Sequence, residues 1–552
     1  MAGPIPVPAQ TTPQLDAASR ANSLIGGYGP YRQNNDLLFY HLTLRVDPEK
    51  KYISGTNTIR FKMLQDGTRI QLELYPTLQI DGIEVGKTTL KYERDGPTVF
   101  VDFPKTLHAG HTYSIDFHYS GHPMETGRFG CFTFKKDTAG HPWINTACEE
   151  TGAYVWWPNK DQWRDEPQKG MEIDVAVPNG LMNISNGRFV GKKDLGDGYT
   201  QWDWRVHYPI NNYDVALNIG DYVHFGDNYH GLSLDYYVLP ADLAKAKVQF
   251  AQVPGMMKAY YHYLGEYPFK KDGYKLIEVP YAGMEHQSAV AYGNHFKNGY
   301  FERDWTGVGI SPRFDFIIIH ESGHEWFGNS ITAADKSDMW IHEGWTTYLE
   351  SLYVEYNWGY DDALKYLNGL KSKVKNDRPI ISARNANAEP PQDQYFKGAL
   401  FINTLRSIVN DDTHWWAMVR GFYQTYKYQN IMTEDVVQYF NEQTGMMLTP
   451  IFDQYLRHTA IPTLELKFDR AGEVSYRWKV DEKDFRMPVR VGLREHWEII
   501  RPTTEWQSMK TPLDRDRFDV ATDLYYINVE KPQPLRLPTV SPALPASERK
   551  EK

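Results

Sequence analysis

A His-Glu-Ser-Gly-His pentapeptide at positions 320–324, followed by Glu343, constrains this chain of 552 residues more than any other feature. Two histidines four residues apart on a helix share one face, so His320 and His324 can bind the same Zn²⁺. Glu321 would then point its carboxylate at a water on the metal. Glu343 lies on the next predicted helix, and folding back would make it the third ligand. The pattern predicts two packed helices and metal-assisted hydrolysis.

The competing interpretation places the two histidines on the polar face of an ordinary amphipathic surface helix. The apolar run of Phe314 and 316–319 instead favours a buried helix that can hold ligands rigidly. Ser311 and Pro312 have the residue types that begin helices, and Gly328 has the type that ends them. We therefore predict a buried metal helix between these points.

Composition narrows the classes of partner and the compartment. The net charge is −10 and no long run of Lys or Arg occurs, so nucleic acid is not an expected partner. No apolar stretch reaches the ~18 residues of a membrane span. The first 27 residues lack the hydrophobic run of a signal peptide. The expected protein is soluble, and either a cytoplasmic location or secretion with a removed leader fits the sequence.

The only cysteines are Cys131 and Cys148. A disulfide between them stays open, because two cysteines do not make a disulfide framework in a chain of this length. Cys148 is interpreted as a small buried residue and not as a nucleophile, since metal-assisted hydrolysis needs none.

Alternating apolar and polar residues, as at 40–46, predict short strands up to about residue 225. Helical spacing then dominates, beginning with one helix over 241–264, and strands return after Pro462. The fold class is α+β multidomain, because strands are followed by helices without a βαβ array. The predicted segments are a flexible leader at 1–30, an all-β domain at 31–230, an α+β zinc domain at 231–461, a small β-sandwich-like domain at 462–530 and a disordered tail at 531–552.

Two segments carry a resemblance to a known family. The sequence HESGHEWFGN at 320–329 resembles the zinc helix of the gluzincin aminopeptidases, the family of aminopeptidase N and leukotriene hydrolase. The sequence WIHEGWTTYLE at 340–350 resembles that family's third-ligand helix, with the same eighteen residues between His324 and Glu343. The resemblance implies a thermolysin-like catalytic domain with one Zn²⁺ held by His320, His324 and Glu343, and Glu321 as general base.

Three further segments extend the resemblance to substrate binding. YAGMEH at 281–286 is similar to the family's exopeptidase motif, YFKGA at 395–399 to its catalytic-tyrosine motif, and TACE at 146–149 to a third motif. The resemblance implies that Tyr395, predicted to lie in a loop before a helix at 397–409, stabilises the oxyanion. It implies that Glu149 and Glu285 bind the substrate's α-ammonium. Gly283 and Met284 would line the bound peptide.

The sequence departs from the family's motifs beside these residues. Ala147 replaces a glutamine, Ala282 a glycine and His286 an asparagine. His286 and His342 are interpreted as structural or solvated residues and not as ligands. Glu350, two helical turns after Glu343, is a candidate for orienting a ligand.

The resulting prediction is a zinc aminopeptidase that acts on peptides with a free amino terminus; its oligomeric state stays open. One alternative is an epoxide or bifunctional hydrolase of the leukotriene hydrolase type, although the long helical C-terminal domain of that branch is not expected in the roughly ninety residues after Pro462. The other alternative is an inactive peptide-binding scaffold, which the intact ligands, Glu321 and Tyr395 disfavour.

Overall fold

The fold is described from a computed structural model, over residues 17–469, 472–494 and 496–531. The predicted tail therefore lies outside the described residues apart from residue 531. Within the predicted leader, residues 17–26 form a helix. The Arg32 guanidinium fastens this region by donating to the carbonyls of Ile25 and Gly27, both at 2.7 Å.

The N-terminal β domain follows from the alternation noted in the sequence. Tyr40, Leu42, Leu44 and Val46 are buried, and the residues between them are only partly covered. The described part of this region contains the α-helices and strands α1 Ala17–Gly26, α2 Pro30–Gln33, β1 Asn35–Asp47, β2 Tyr52–Met63, β3 Gly67–Glu73, β4 Leu78–Val85, β5 Thr88–Thr89, β6 Lys91–Asp95, β7 Thr98–Leu107, β8 Thr112–Gly121, β9 Glu125–Thr126, β10 Gly130–Lys136, β11 Pro142–Ala147, β12 Met171–Pro178, β13 Met182–Ile184, β14 Arg188–Asp194, β15 Tyr199–Val206 and β16 Asn218–Gly220.

These strands form three sheets around one core. The largest has the order β14-β15-β12-β1-β2-β8-β4-β5, the second β13-β16-β11-β10-β9 and the third β3-β7-β6. Strand β11 of the second sheet ends at Ala147, so this sheet places Glu149 beside the mixed α/β domain. All three sheets contribute buried side chains to the hydrophobic core of this domain.

A mixed α/β domain follows, as the sequence predicts. Its elements are β17 Val223–Tyr229, β18 Leu232–Val238, α3 Leu243–Gln249, α4 Val253–Tyr263, β19 Tyr274–Glu278, β20 Gly283–Met284, β21 Val290–Tyr292, α5 Phe316–Gly323, β22 Ile331–Ala333, α6 Trp340–Trp358, α7 Tyr360–Gly369, α8 Asp393–Val409, α9 Asp412–Tyr426, β23 Gln429–Ile431, α10 Thr433–Thr444 and α11 Thr449–Leu456. Strands β17, β18, β19, β21 and β20 form one sheet in that order.

The C-terminal strands form two small sheets. They are β24 Thr463–Phe468, β25 Glu473–Lys479, β26 Val489–Leu493, β27 His496–Ile500, β28 Gln507–Lys510, β29 Asp519–Val520 and β30 Asn528–Glu530. The sheet orders are β28-β25-β24-β30 and β27-β26-β29. Their buried side chains are continuous with the core of the mixed α/β domain, and the Tyr455 hydroxyl donates to the Tyr526 carbonyl at 2.7 Å.

Several helix boundaries differ from the sequence predictions. The metal helix was expected to end at Gly328, and this was wrong, because the chain turns at 324–326 and α5 ends at Gly323. The single helix expected over 241–264 is divided into α3 and α4 by a 3₁₀ turn at Phe250–Gln252, just before Pro254. Ser311 and Pro312 belong to a 3₁₀ turn, and α5 begins later, because Asp315 caps it by accepting from the amide of Ile317 at 3.1 Å.

Tyr395 was predicted in a loop, and this was wrong. It lies in the first turn of α8, which begins at Asp393 soon after Pro391. Helices α6 and α8 approach closely at Gly344 and Gly398, where a Cβ on Gly398 would lie 2.9 Å from the Gly344 Cα. This approach explains the glycine in YFKGA, because it brings Tyr395 close to Glu343 on the neighbouring helix.

Candidate active site

The two predicted ligand helices meet as the sequence suggested. The Nε2 atoms of His320 and His324 lie 3.4 Å apart, and Glu343 Oε2 lies 3.4 and 3.3 Å from them. All three side chains are buried. His320 lies in α5, His324 directly follows that helix, and Glu343 lies in α6, so together they present one compact group of possible metal ligands.

The geometry of this group fits a tetrahedral metal ion. Ligand atoms about 2.05 Å from a tetrahedral centre lie about 3.3 Å from one another, close to the separations of the three atoms here. Glu343 Oε2 is buried without a hydrogen-bond partner among the described residues. Two imidazoles and one carboxylate are a donor set that zinc favours, and three protein ligands leave one position open.

Hydrogen bonds orient both imidazoles toward this centre. His320 Nδ1 lies 2.7 Å from Glu350 Oε1, and the Tyr366 hydroxyl donates to Glu350 Oε2 at 2.6 Å. His324 Nδ1 lies 3.0 Å from the Phe327 carbonyl. Both Nδ1 atoms are therefore occupied by acceptors, which leaves each Nε2 free for a metal.

Glu321 lies beside the ligand group, at the floor of a cleft that all the predicted site residues line. Burial raises the pKa of Glu321 to about 7, although the neighbouring His320 lowers it. Gly283 approaches it so closely that a Cβ there would lie 2.8 Å from Glu321 Oε1. Glycine at this position thus keeps the cleft open above the carboxylate, next to Met284.

A second pair of carboxylates lies on the His324 side of the ligand group. Glu285 Oε1 accepts from the Tyr213 hydroxyl at 3.0 Å, and its backbone carbonyl accepts from Asn329 Nδ2 at 2.6 Å. Burial raises the pKa of Glu149 well above its usual value, and the charge of Glu285 raises it further. A carboxylate whose ionisation is disfavoured by a neighbouring carboxylate makes a site suited to a cation.

The position of Glu149 is set by the chain on either side of it. Cys131 and Cys148 form a disulfide that ties the start of β10 to the residue before Glu149. This answers the question that the sequence left open. On the other side, Lys336 Nζ donates to the Glu150 carbonyl at 2.8 Å. Glu149 Oε1 is itself buried without a hydrogen-bond partner in the described part of the chain, and so is available to a ligand.

Tyr395 lies across the cleft, with its ring 6.1 Å from that of His320 at an interplanar angle of 26°. Burial raises the pKa of Tyr395 well above its usual value, and Glu343 adds to this through its charge and a side-chain hydrogen bond. The phenol is therefore protonated and can donate. Lys397 of the same motif is structural, since its Nζ donates to the His458 carbonyl at 2.9 Å.

His286 and His342 are structural residues, and neither is solvated. Both are fully buried, and burial lowers the pKa of each to about 3. His342 Nε2 accepts from the Ala333 amide at 2.7 Å, and its ring stacks on Trp163 at 5.5 Å. The replacement of asparagine by His286 therefore places a neutral ring behind the cleft and not inside it.

Two residues at the site were not found from the sequence. Tyr213 reaches Glu285 from the N-terminal β domain, 72 positions earlier in the chain, and no local pattern marks it. Thr346 Oγ1 lies 3.1 Å from His324 Nδ1. Thr346 lies three residues after Glu343 on α6, and this spacing could have indicated that both side chains face α5.

Comparison with known proteins agrees with the fold. The Peptidase M1 N-terminal domain matches residues 37–213, and the Peptidase family M1 domain matches residues 250–455. The chain belongs to the M1 peptidase family. The resemblance to gluzincin aminopeptidases is thereby confirmed.

Two curated relatives show how low the sequence identity between this chain and known aminopeptidases is. Mouse aminopeptidase N is 24% identical over 345 residues, covering 57% of this chain and 35% of the relative. Aminopeptidase 2 of Candida albicans is 20% identical over 518 residues, covering 88% and 55%. The chain thus matches about a third to a half of the length of these relatives.

Among solved structures, an M1 zinc metallopeptidase from Deinococcus radiodurans has a TM-score of 0.67 at 19% identity, covering 78% of this chain and 94% of that one. A mutant from the same organism, bound to a Tyr-Ser-Ala substrate, has a TM-score of 0.65 at 19% identity, covering 77% and 95%. These similarities establish the shared fold. Among the described residues, no helix is both long and apolar enough to cross a membrane.

Proposed function

We propose that this chain is a zinc-dependent aminopeptidase that holds one Zn²⁺ and removes the first residue of peptides with a free amino terminus. The observation that carries this proposal is the meeting of two carboxylate groups in one cleft. One is Glu343 with its two histidines, and the other is the pair Glu149 and Glu285. The first group supports hydrolysis, and the second supports recognition of a cation.

His320, His324 and Glu343 would hold the zinc ion. When bound there, Zn²⁺ polarises a peptide carbonyl and lowers the pKa of water. Glu350 and the Phe327 carbonyl keep the imidazoles in the tautomer with a free Nε2.

Glu149 and Glu285 would bind the substrate's α-ammonium group. A charge-assisted contact to two carboxylates fixes the amino terminus, so the bond that reaches Glu321 is the one after the first residue. The Tyr213 hydroxyl orients Glu285 for this contact. Gly283 leaves room for the substrate backbone above Glu321.

Glu321 would move the proton. Its carboxylate accepts a proton from the attacking water and later donates it to the nitrogen of the leaving amine. The Tyr395 hydroxyl donates a hydrogen bond to the carbonyl oxygen as negative charge develops on it. The site thus contains a base, an oxyanion donor and an anchor for the substrate.

The test is hydrolysis of an alanyl arylamide by the zinc-loaded chain, with and without a chelator, beside the N-acetylated substrate. We expect activity on the free amine alone, lost with the chelator and restored by Zn²⁺. In Glu321→Gln, kcat should fall by about 10²–10⁴-fold, because the proton acceptor is gone. Zinc content should stay at one per chain, since Glu321 is not a ligand.

Each possible failure has a different meaning. Cleavage of the acetylated substrate would contradict the role of Glu149 and Glu285. Loss of zinc from Glu321→Gln would contradict the assignment of that residue. A zinc-loaded chain that binds peptides and cleaves neither substrate would be the inactive scaffold considered above.

A further inference from the structure

The two ends of the cleft differ in chemistry. At one end, Glu285 has a carboxylate oxygen within 4.8 Å of His324. At the other, the ring of Phe316 lies 5.3 Å from that of His320, with an interplanar angle of 13°. The cleft therefore has an acidic end at Glu285 and an aromatic end at Phe316. His324 and His320 lie between these two ends.

The aromatic end is built from Tyr300, Trp305, Phe316 and Phe396, which we call the aromatic wall. The ring of Trp305 lies 4.9 Å from Tyr300, 5.5 Å from Phe316 and 6.1 Å from Phe396. All four line the cleft. Phe316 and Phe396 are buried, whereas Tyr300 and Trp305 are only half-buried. The two half-buried rings thus keep apolar surface accessible beside the ligand group.

Trp305 is held in place by its own loop and by Lys373. Its backbone amide donates to Ser311 Oγ at 2.6 Å, and Ser311 Oγ donates to Asp304 Oδ1 at 2.8 Å. Lys373 Nζ lies 3.8 Å from the centroid of the Trp305 ring, within range of a cation–π contact. These contacts fix the ring of Trp305 before a ligand binds. A fixed ring can serve as a recognition surface, whereas a loosely exposed aromatic side chain cannot.

We propose that the aromatic wall is the site for the second residue of the substrate, that it favours large apolar and above all aromatic side chains there, and that Trp305 determines this preference. The inference rests on the proposed aminopeptidase function and deepens it. With the amino terminus at Glu149 and Glu285, the chain beyond the cleaved bond passes His320 and reaches Trp305.

The physical basis is the accessible aromatic surface. An aromatic side chain buries a large apolar area and gains further from edge-to-face or offset contacts with other rings. An alanine at the second position would leave the accessible surface of Trp305 and Tyr300 uncovered. The preference concerns the leaving part of the substrate and is therefore separate from recognition of the first residue.

The test compares Ala-Phe-amide, Ala-Leu-amide and Ala-Ala-amide as substrates of the zinc-loaded chain, with release of alanine measured. We expect kcat/KM for Ala-Phe-amide to exceed that for Ala-Ala-amide by about tenfold or more. In Trp305→Ala the ratio of the two kcat/KM values should fall to about three or less. Trp305→Leu should give an intermediate ratio, because leucine retains part of the apolar surface.

A binding measurement provides a readout that does not need turnover. In zinc-loaded Glu321→Gln, the Kd values of the same dipeptide amides by calorimetry should follow the same order, and adding Trp305→Ala should remove it. The matched control is Phe129→Ala, which alters a cleft residue that stacks on Tyr281 at 5.3 Å, away from the wall. It should leave the ratio for the second residue unchanged.

The outcomes separate this inference from the proposed function. Cleavage of all three dipeptides with equal kcat/KM overturns the role of the wall and leaves the aminopeptidase intact. A ratio that persists in Trp305→Ala, or that collapses equally in Phe129→Ala, overturns the assignment to Trp305. Failure to cleave any of them in a zinc-loaded chain contradicts the proposed function itself.

Discussion

At the scale of single residues, Glu350 acts through His320. It accepts from His320 Nδ1 and from the Tyr366 hydroxyl, and it is almost fully buried. Such a carboxylate fixes the tautomer of the imidazole and increases the basicity of the nitrogen that faces the metal. The sequence indicated this through the spacing of seven residues from Glu343, which places both carboxylates on one face of α6.

We predict that Glu350→Ala weakens zinc binding by about 10–100-fold, because His320 loses the acceptor that orients it. Competition with a chelator of known affinity measures the change. With zinc in excess, much of the activity should return, which distinguishes this positioning residue from a ligand. The matched control is Glu355→Ala on the same helix, whose carboxylate pairs with Arg406 at 2.7 Å; unchanged zinc affinity in Glu350→Ala would contradict the prediction.

At the scale of elements, strands β10 and β11 carry one wall of the cleft. Phe129 precedes β10, and Glu149 follows β11 by two positions. The Cys131–Cys148 disulfide joins the two strands at that end. The bridge therefore fixes the distance between Phe129 and Glu149, which line the end of the cleft where the substrate's amino terminus is proposed to bind.

We predict that Cys131→Ala/Cys148→Ala is destabilised by about 3 kcal/mol, as expected for a bridge that closes a loop of roughly this length. The KM for free-amine substrates should rise, while kcat changes little, because Glu149 is less well placed. Urea unfolding and steady-state kinetics measure the two effects. A fall in stability with an unchanged KM would restrict the bridge to a role in folding.

Local patterns predicted some elements well and others poorly. The helix predicted at 397–409 ends where α8 ends, at Val409, because Asn410 at φ +54° takes the left-handed conformation that closes a helix. The start of α5 was misplaced, because Ser311 and Pro312 satisfy the same capping pattern in a 3₁₀ turn. Only tertiary contacts to Asp315, such as the Tyr292 hydroxyl at 2.7 Å, select the later start.

At the scale of the whole molecule, the cleft lies where the N-terminal β domain meets the mixed α/β domain. Glu149 and Tyr213 come from the first domain, and Glu285 with the ligand group comes from the second. Arg164 pairs with Asp335 across this junction at 3.0 Å. Motifs identified the candidate ligands because these residues are close in sequence. Tyr213 and Trp305 depend instead on contacts between distant segments, which no local spacing encodes.

We predict that Lys336→Met raises the KM for free-amine substrates by several-fold with little change in kcat. The substitution removes the hydrogen bond to the Glu150 carbonyl and one of the charges that lower the pKa of Glu149. The matched control is Lys365→Met, which removes an exposed pair with Asp362 far from the cleft and should leave KM unchanged. Equal effects in the two variants would contradict a specific role of the junction.

The bond between Tyr213 and Glu285 has a consequence for recombination between relatives. A hybrid that takes its first domain from one parent and its second from another inherits the proposed zinc ligands as a unit, because all three come from α5, the residue that follows it, and α6. It inherits the proposed anchor for the amino terminus in two parts, with Glu149 and Tyr213 from one parent and Glu285 from the other. Hybrids should therefore retain metal readily. They should recognise short peptides only when Glu149 and Tyr213 of the first domain are combined with a second domain that places Glu285 within hydrogen-bond distance of Tyr213.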